Sequence, residues 1–131
     1  MTKVKQIRPT EAELAILRVL WERKRATVRD VHEELSRRNP TGYTTVLKLM
    51  QIMTDKGLVE RDESNRAHVY RPKLSEQRTK RQLVGDLLDR AFGGATGELV
   101  MQALSSRKAS SEELQQIRDL LDELERKEGG E

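Results

Sequence analysis

With 131 residues the chain holds one domain, or one small domain and an appendage. A charged fraction of 36% against 35% apolar keeps each core small and most helices one-sided. One Trp, two Tyr and one Phe are too few for a base-stacking platform that binds single strands, and the lack of cysteine removes disulfides, zinc ribbons and thiolate metal sensing. The net charge of +3 divides unevenly, with 16 Lys/Arg against 10 Asp/Glu in residues 1–73 and 9 against 12 in residues 74–131. A basic front and an acidic back suit a front that meets a polyanion, although ordinary surface solvation produces the same pattern. There is no apolar h-region at the start and no run approaching 18 apolar residues, so the reading is of a soluble, unexported protein.

In chain order, residues 1–8 read as a short basic arm. Pro9-Thr10 opens the first helix, with Thr10 as the cap and Glu13 completing a capping box three residues on. Leu14, Leu17 and Trp21 form one stripe with Ile16 and Leu20 beside it, which makes this helix central and Trp21 a core anchor. The helix closes in Glu22-Arg23-Lys24-Arg25, and Ala26 is a short edge strand. Thr27, with Asp30 three residues later, caps a second helix whose Val28, Val31 and Leu35 pack inward. His32 lies on its flank, where a core-edge histidine is the ordinary reading and a metal ligand the exceptional one. Residues 36–40 end this helix, because the residue before Pro40 is pushed out of the helical region.

The rest of the chain is organised around residues 40–70. Val46, Leu49, Met50 and Met53 recur at i, i+3, i+4 and i+7, the buried stripe of a third helix. Its other side carries Thr44, Lys48, Gln51 and Asp55, with Thr45 next to them. Lys56-Gly57 stops it, with a cation in the last turn and then a glycine suited to the left-handed position. A strand over 58–61, a polar turn over 62–66 and a returning strand over 67–71 follow. Helix, short turn, helix and hairpin is the order of a winged helix-turn-helix.

After Pro72, Ser75 caps a fourth helix to about residue 92, basic at first and then apolar, ended by Gly93-Gly94. A fifth runs from about 96 to 106. Ser110 and Glu113 make a third capping box before a helix with Leu114, Ile117, Leu121 and Leu124 at coiled-coil-like spacing, and residues 128–131 read as a frayed tail. Three such helices hold too little apolar chain for a comfortable core alone. Either two copies bury Leu83, Leu87, Leu88, Phe92, Leu99, Val100, Leu104, Leu114, Ile117, Leu121 and Leu124 against each other, or the helices fold back as a lid, and the first is the expectation adopted. The fold class is therefore mainly α with a small β-hairpin wing: a winged helix-turn-helix over 1–73 and a three-helix dimerisation region over 74–131.

In such folds the N-terminal residues of the third helix reach major-groove base edges. Here those residues are Thr41, Tyr43, Thr44, Thr45 and Lys48, with Gln51 a turn further along the same face. Helix capping is the competing role for the Thr44-Thr45 pair. In the wing, Arg61, Arg66 and His68 are placed to touch backbone or minor groove, against the bland reading of a solvated hairpin. Catalysis has no support: the two His lie in separate elements, and no Gly-rich phosphate loop or HExxH helix exists. No cofactor or metal is implied. The remaining alternative is a winged-helix protein-interaction module without sequence-specific DNA binding.

Laid out in this way, the chain resembles the BlaI/MecI-type penicillinase-repressor family. The resemblance rests on residues 10–21 (TEAELAILRVLW), 27–32 (TVRDVH), 43–46 (YTTV), 56–59 (KGLV) and 67–70 (AHVY). It implies a cytoplasmic homodimeric repressor of short inverted-repeat operators on double-stranded DNA, with Thr44, Thr45 and Lys48 facing the duplex. It also implies relief through a membrane sensor-protease pathway that leads to cleavage in the C-terminal region. The matching stretch is residues 99–104, with Gln102-Ala103 the candidate bond where the staphylococcal members have Asn-Phe. The copper-sensing branch uses C-terminal cysteine pairs, which this chain lacks.

Overall fold

The computed structural model describes residues 8–129, and residues 1–7, where the basic arm is expected, lie outside that range together with 130–131. Helix α1 (Glu11–Arg23) starts from a complete capping box: the Thr10 hydroxyl accepts the Glu13 amide at 3.2 Å and the Glu13 carboxylate accepts the Thr10 amide at 2.9 Å. A two-residue strand β1 (Ala26–Thr27) leads into α2 (Val28–Ser36), capped in the same reciprocal way by Thr27 and Asp30. Helix α3 (Tyr43–Lys56) ends at Gly57, which sits at φ 83° where a Cβ would be strained. The Leu58 amide then donates to the Met53 carbonyl at 2.9 Å, in the manner of a Schellman cap.

Strands β2 (Val59–Asp62) and β3 (Val69–Pro72) complete an antiparallel sheet in the order β1-β3-β2. The returning strand begins at Val69 and not at Ala67, so Ala67 and His68 belong to the wing. Pro72 is tolerated at the strand's end because β1 pairs only with Val69 and Tyr70, leaving β2 as the sole neighbour at Pro72.

The core is the set of side chains these elements share: Ile16, Leu17 and Leu20 from α1, Val31 from α2, Val46, Met50 and Met53 from α3, and Leu58, Val59 and Tyr70 from the sheet. The expected α1 stripe is shifted by this packing. Leu14 and Trp21 are half-buried, while Ile16, Leu17, Leu20 and the Glu13 side chain form the innermost line. Trp21 still packs on the core, and its indole Nε1 donates to the Leu74 carbonyl at 3.0 Å.

Helix α4 (Glu76–Phe92) is capped by Ser75, whose Oγ accepts the Arg78 amide at 3.1 Å. Its first turns belong to the winged unit, since Leu74 packs against the core and Thr79 is buried, with its hydroxyl bonded to the Ser75 carbonyl at 2.8 Å. The two compact units accordingly divide between Gln82 and Leu83, later in the chain than the sequence-based boundary at 73/74.

The second unit holds the rest of α4, α5 (Thr96–Ser106) and α6 (Ser111–Gly129). The Ser110 and Glu113 capping box is present, with bonds of 2.9 and 3.0 Å, and α6 stays helical to Gly129 across part of the expected frayed tail. Among the described residues of this unit no side chain is buried. Leu83, Leu88, Phe92, Leu99, Leu114 and Ile117 are half-buried, and Leu87, Val100, Leu104, Leu121 and Leu124 are exposed.

Candidate nucleic-acid interface

The interface is built from α3 outward. Val46, Met50 and Met53 bury the inner side of the helix, and that fixes which residues face away: Thr44, Thr45, Lys48 and Gln51 are all exposed. The N-cap is Gly42, which has no side chain to satisfy the first amides. Among the described residues no hydrogen bond or ion pair engages the Thr44, Thr45, Lys48 or Gln51 side chains, so neither threonine serves as the cap. What remains is an open helix N-terminus whose N–H groups and partial positive charge favour an anion. Two hydroxyls, an ammonium and a carboxamide extend from it along one face, the donor and acceptor types that read base edges and phosphates.

Thr41 and Tyr43 are placed differently. Thr41 is half-buried and both its oxygens are engaged. Its hydroxyl donates to the Asn39 carbonyl at 3.0 Å, and its carbonyl accepts from His32 Nε2 at 2.7 Å and from Ser36 Oγ at 3.4 Å. Tyr43 keeps 48% of its surface exposed and sets its ring edge-on to His32, with centroids 5.6 Å apart. These ties across the turn left no trace in the sequence pattern, because they join a helix flank to a loop carbonyl.

In the wing, Arg66 and His68 are exposed, whereas Arg61 is held by Glu63 through Nε at 2.8 Å and Nη2 at 2.7 Å. The Tyr70 side chain first, and then Glu63, raise the Arg61 pKa further. Arg71 pairs with Glu60 at 3.3 Å. At the tip the Ser64 hydroxyl and amide both donate to Asp62 and hold its carboxyl below the usual range. The wing therefore presents Arg66 and His68 with its other two arginines internally paired.

The same unit carries an open groove of about 760 Å³ whose lining includes Ala15, Val19, Trp21, Leu35, Thr41 and Thr45. Among the described residues no three His, Cys, Asp or Glu side chains gather as a metal site, and no helix is long and apolar enough to cross a membrane.

Comparison with known proteins finds a family and several relatives. The family model described as "Penicillinase repressor" matches residues 9–123. The penicillinase repressor of Bacillus licheniformis is 25% identical over 123 residues, covering 94% of this chain and 94% of that one. The transcriptional regulator BlaI of Mycobacterium tuberculosis (strain CDC 1551 / Oshkosh) is 33% identical over 116 residues, covering 88% of this chain and 83% of its own. Among solved structures, the monomeric form of Bacillus licheniformis BlaI in complex with the blaP half-operator is 27% identical with a TM-score of 0.47. That match covers 59% of this chain and 92% of the other.

Proposed function

The chain belongs to the penicillinase-repressor family, whose members are DNA-binding transcriptional repressors and not enzymes, and we propose that it represses as a homodimer on inverted-repeat operators in the cytoplasm. The observation that carries the DNA contact is the unengaged face of α3, where Thr44, Thr45, Lys48 and Gln51 stand beside an uncapped helix N-terminus. Arg66 and His68 add backbone contacts from the wing, and Arg61 joins them when DNA phosphates compete with Glu63.

The dimer reading is supported by the second unit. Among the described residues, eight of the ten large apolar side chains left exposed lie beyond residue 82, namely Val84, Leu87, Val100, Met101, Leu104, Leu120, Leu121 and Leu124. A helical segment of this length without a buried side chain has no core of its own to stabilise it. A second copy offers the same stripes in a two-fold arrangement and matches the symmetry of an inverted repeat. Gln102 and Ala103 lie inside α5, so relief by cleavage at that bond requires α5 to unwind before a protease can seat it.

Selection of the full-length protein against random duplex DNA at moderate salt tests the proposal. The expected product is an inverted repeat with half-sites about one helical turn apart, roughly 34–36 Å, or a multiple of it. No enrichment, with weak and uniformly salt-sensitive binding, would replace it with the reading of a protein-interaction module.

A further inference from the structure

We propose that His32, assisted by Ser36, is a positioning residue for the DNA-reading end of α3; this rests on the DNA-binding reading above. The two residues stand four apart on α2, and side chains at that spacing leave a helix on the same side. Both converge on one atom, the Thr41 carbonyl oxygen, at 2.7 and 3.4 Å. A carbonyl only accepts, so His32 Nε2 carries the hydrogen and both acceptor sites of that oxygen are filled from α2. The Thr41 hydroxyl turns back to the Asn39 carbonyl at 3.0 Å. Two residues on, the Tyr43 ring meets the His32 ring at 74°.

Thr41 and Tyr43 flank Gly42, the residue from which α3 starts, and Gly42 supplies no side-chain cap. The helix therefore does not fix its own origin. The direction of its free amides, and of Thr44 and Thr45 behind them, is set by where α2 holds the preceding carbonyl. The buried stripe of Val46, Met50 and Met53 anchors the middle and end of α3 on the core, which leaves the first turn to the His32 tie. Base-edge contacts tolerate only about 0.5 Å of misplacement, while non-specific phosphate attraction is far more forgiving. His32 thus acts on sequence discrimination without touching DNA.

The test compares full-length wild type with His32→Leu, which removes the donor at similar bulk, and His32→Gln, whose carboxamide nitrogen restores a donor near the Nε2 position. Affinities are measured for the duplex enriched by the wild type and for a scrambled duplex of equal length. In the same preparations without DNA, hydrogen exchange is followed at the Val46 amide, which donates to the Gly42 carbonyl at 3.2 Å. His32→Leu is expected to lose about tenfold on the enriched duplex, with under about twofold change on the scrambled one and an unaltered salt slope. Val46 exchange should quicken about tenfold as well, and His32→Gln should reverse both effects. Equal losses on the two duplexes, unchanged exchange, or failure of Gln to rescue would each overturn the assignment. If the wild type enriches no duplex, the DNA reading falls, and the exchange data alone then decide whether His32 holds the start of α3.

Discussion

Lys56, the last residue of α3, reaches back to Glu13, 43 positions earlier, and its ammonium meets both carboxylate oxygens, at 3.0 and 2.8 Å. Glu13 is 2% exposed and simultaneously accepts the Thr10 amide in the α1 capping box. One buried carboxylate therefore joins the start of α1 to the end of α3. Burial alone raises the pKa of this carboxyl, but the hydrogen bonds from Lys56 and Thr10 and the Lys56 charge outweigh it, and the net direction is down from 4.5.

The two halves of this pair should not be equally costly to remove. The Lys56 side chain is 40% exposed and can turn to water if Glu13 is lost. Lys56→Met leaves a buried carboxylate without its cation, and about 2–4 kcal/mol of destabilisation is expected, against about 1–2 for Glu13→Gln. The pH dependence carries the sign. A carboxyl whose folded pKa is depressed contributes stability above its unfolded value of 4.5, and that contribution is lost as pH falls through the folded pKa. Asp30 behaves likewise through its bond from the Thr27 amide. In Lys56→Met only burial and the Thr10 bonds remain at Glu13, so acid destabilisation begins at higher pH than in wild type. Urea unfolding between pH 3 and 7 measures both effects, and an acid limb that stays in place would contradict this account.

Lys24 closes α1 at φ 75°, the one non-glycine among the described residues in that region. A Cβ is strained there, and Lys24→Gly relieves the strain while adding some unfolded-chain entropy. The balance expected is about 0.5–1 kcal/mol of stabilisation, read as a rise of a few degrees in Tm. A fall in Tm would mean that the Lys24 side chain contributes more than its backbone costs.

How far the sequence discloses the molecule follows from the range of the forces. All three capping boxes, at Thr10, Thr27 and Ser110, are present because each closes over three residues, and the Gly57 stop is equally local. The α3 stripe is legible at Val46, Met50 and Met53 because its period is fixed by the helix, while Leu49 at its edge stays half-buried. The Glu13–Lys56 pair is not legible, since nothing local tells a capping glutamate that a lysine will arrive from another helix. The stripe position of Trp21 predicts a core anchor, yet its indole N–H finds its acceptor at the half-buried rim, on Leu74. The same long-range packing of Leu74 and Thr79 moved the domain division into α4. At the candidate interface, the exposed α3 residues were readable from periodicity, whereas the engagement of Thr41 by α2 and of Arg61 by Glu63 depends on turn geometry that residue types do not specify.

Within the wing, Glu63 holds Arg61 at 2.7 Å, and on the proposed DNA-binding reading it competes with the phosphates for that guanidinium. Glu63→Gln releases the guanidinium from its carboxylate partner, leaving the Tyr70 contact, and removes a negative charge from the wing. Affinity for any duplex should rise about two- to fivefold at low salt, and the dependence of log K on log salt should steepen by roughly one ion. Lys48→Ala should move both quantities in the opposite direction. Titrations at several salt concentrations separate the two, and an unaltered slope in Glu63→Gln would place Arg61 away from the backbone.

The second unit provides the sharpest mutational test of assembly. Leu121 is 54% exposed on α6 and shares a face with Leu114, Ile117 and Leu124. In a single copy, Leu121→Asp exchanges an exposed apolar group for a charge on a helix already rich in acids, and within one copy it should alter little. In a dimer sealed along that stripe, the same change places a carboxylate in an apolar seam and costs several kcal/mol, enough to shift association by two or more orders of magnitude. Sedimentation at micromolar concentration should show the wild type as a dimer and the variant as a monomer with unchanged helix content. Operator affinity should fall with it, since each half-site is then bound alone. A variant that still sediments as a dimer would move the seam off α6 and onto the α4 and α5 stripes, where Leu87→Asp and Leu104→Asp repeat the test.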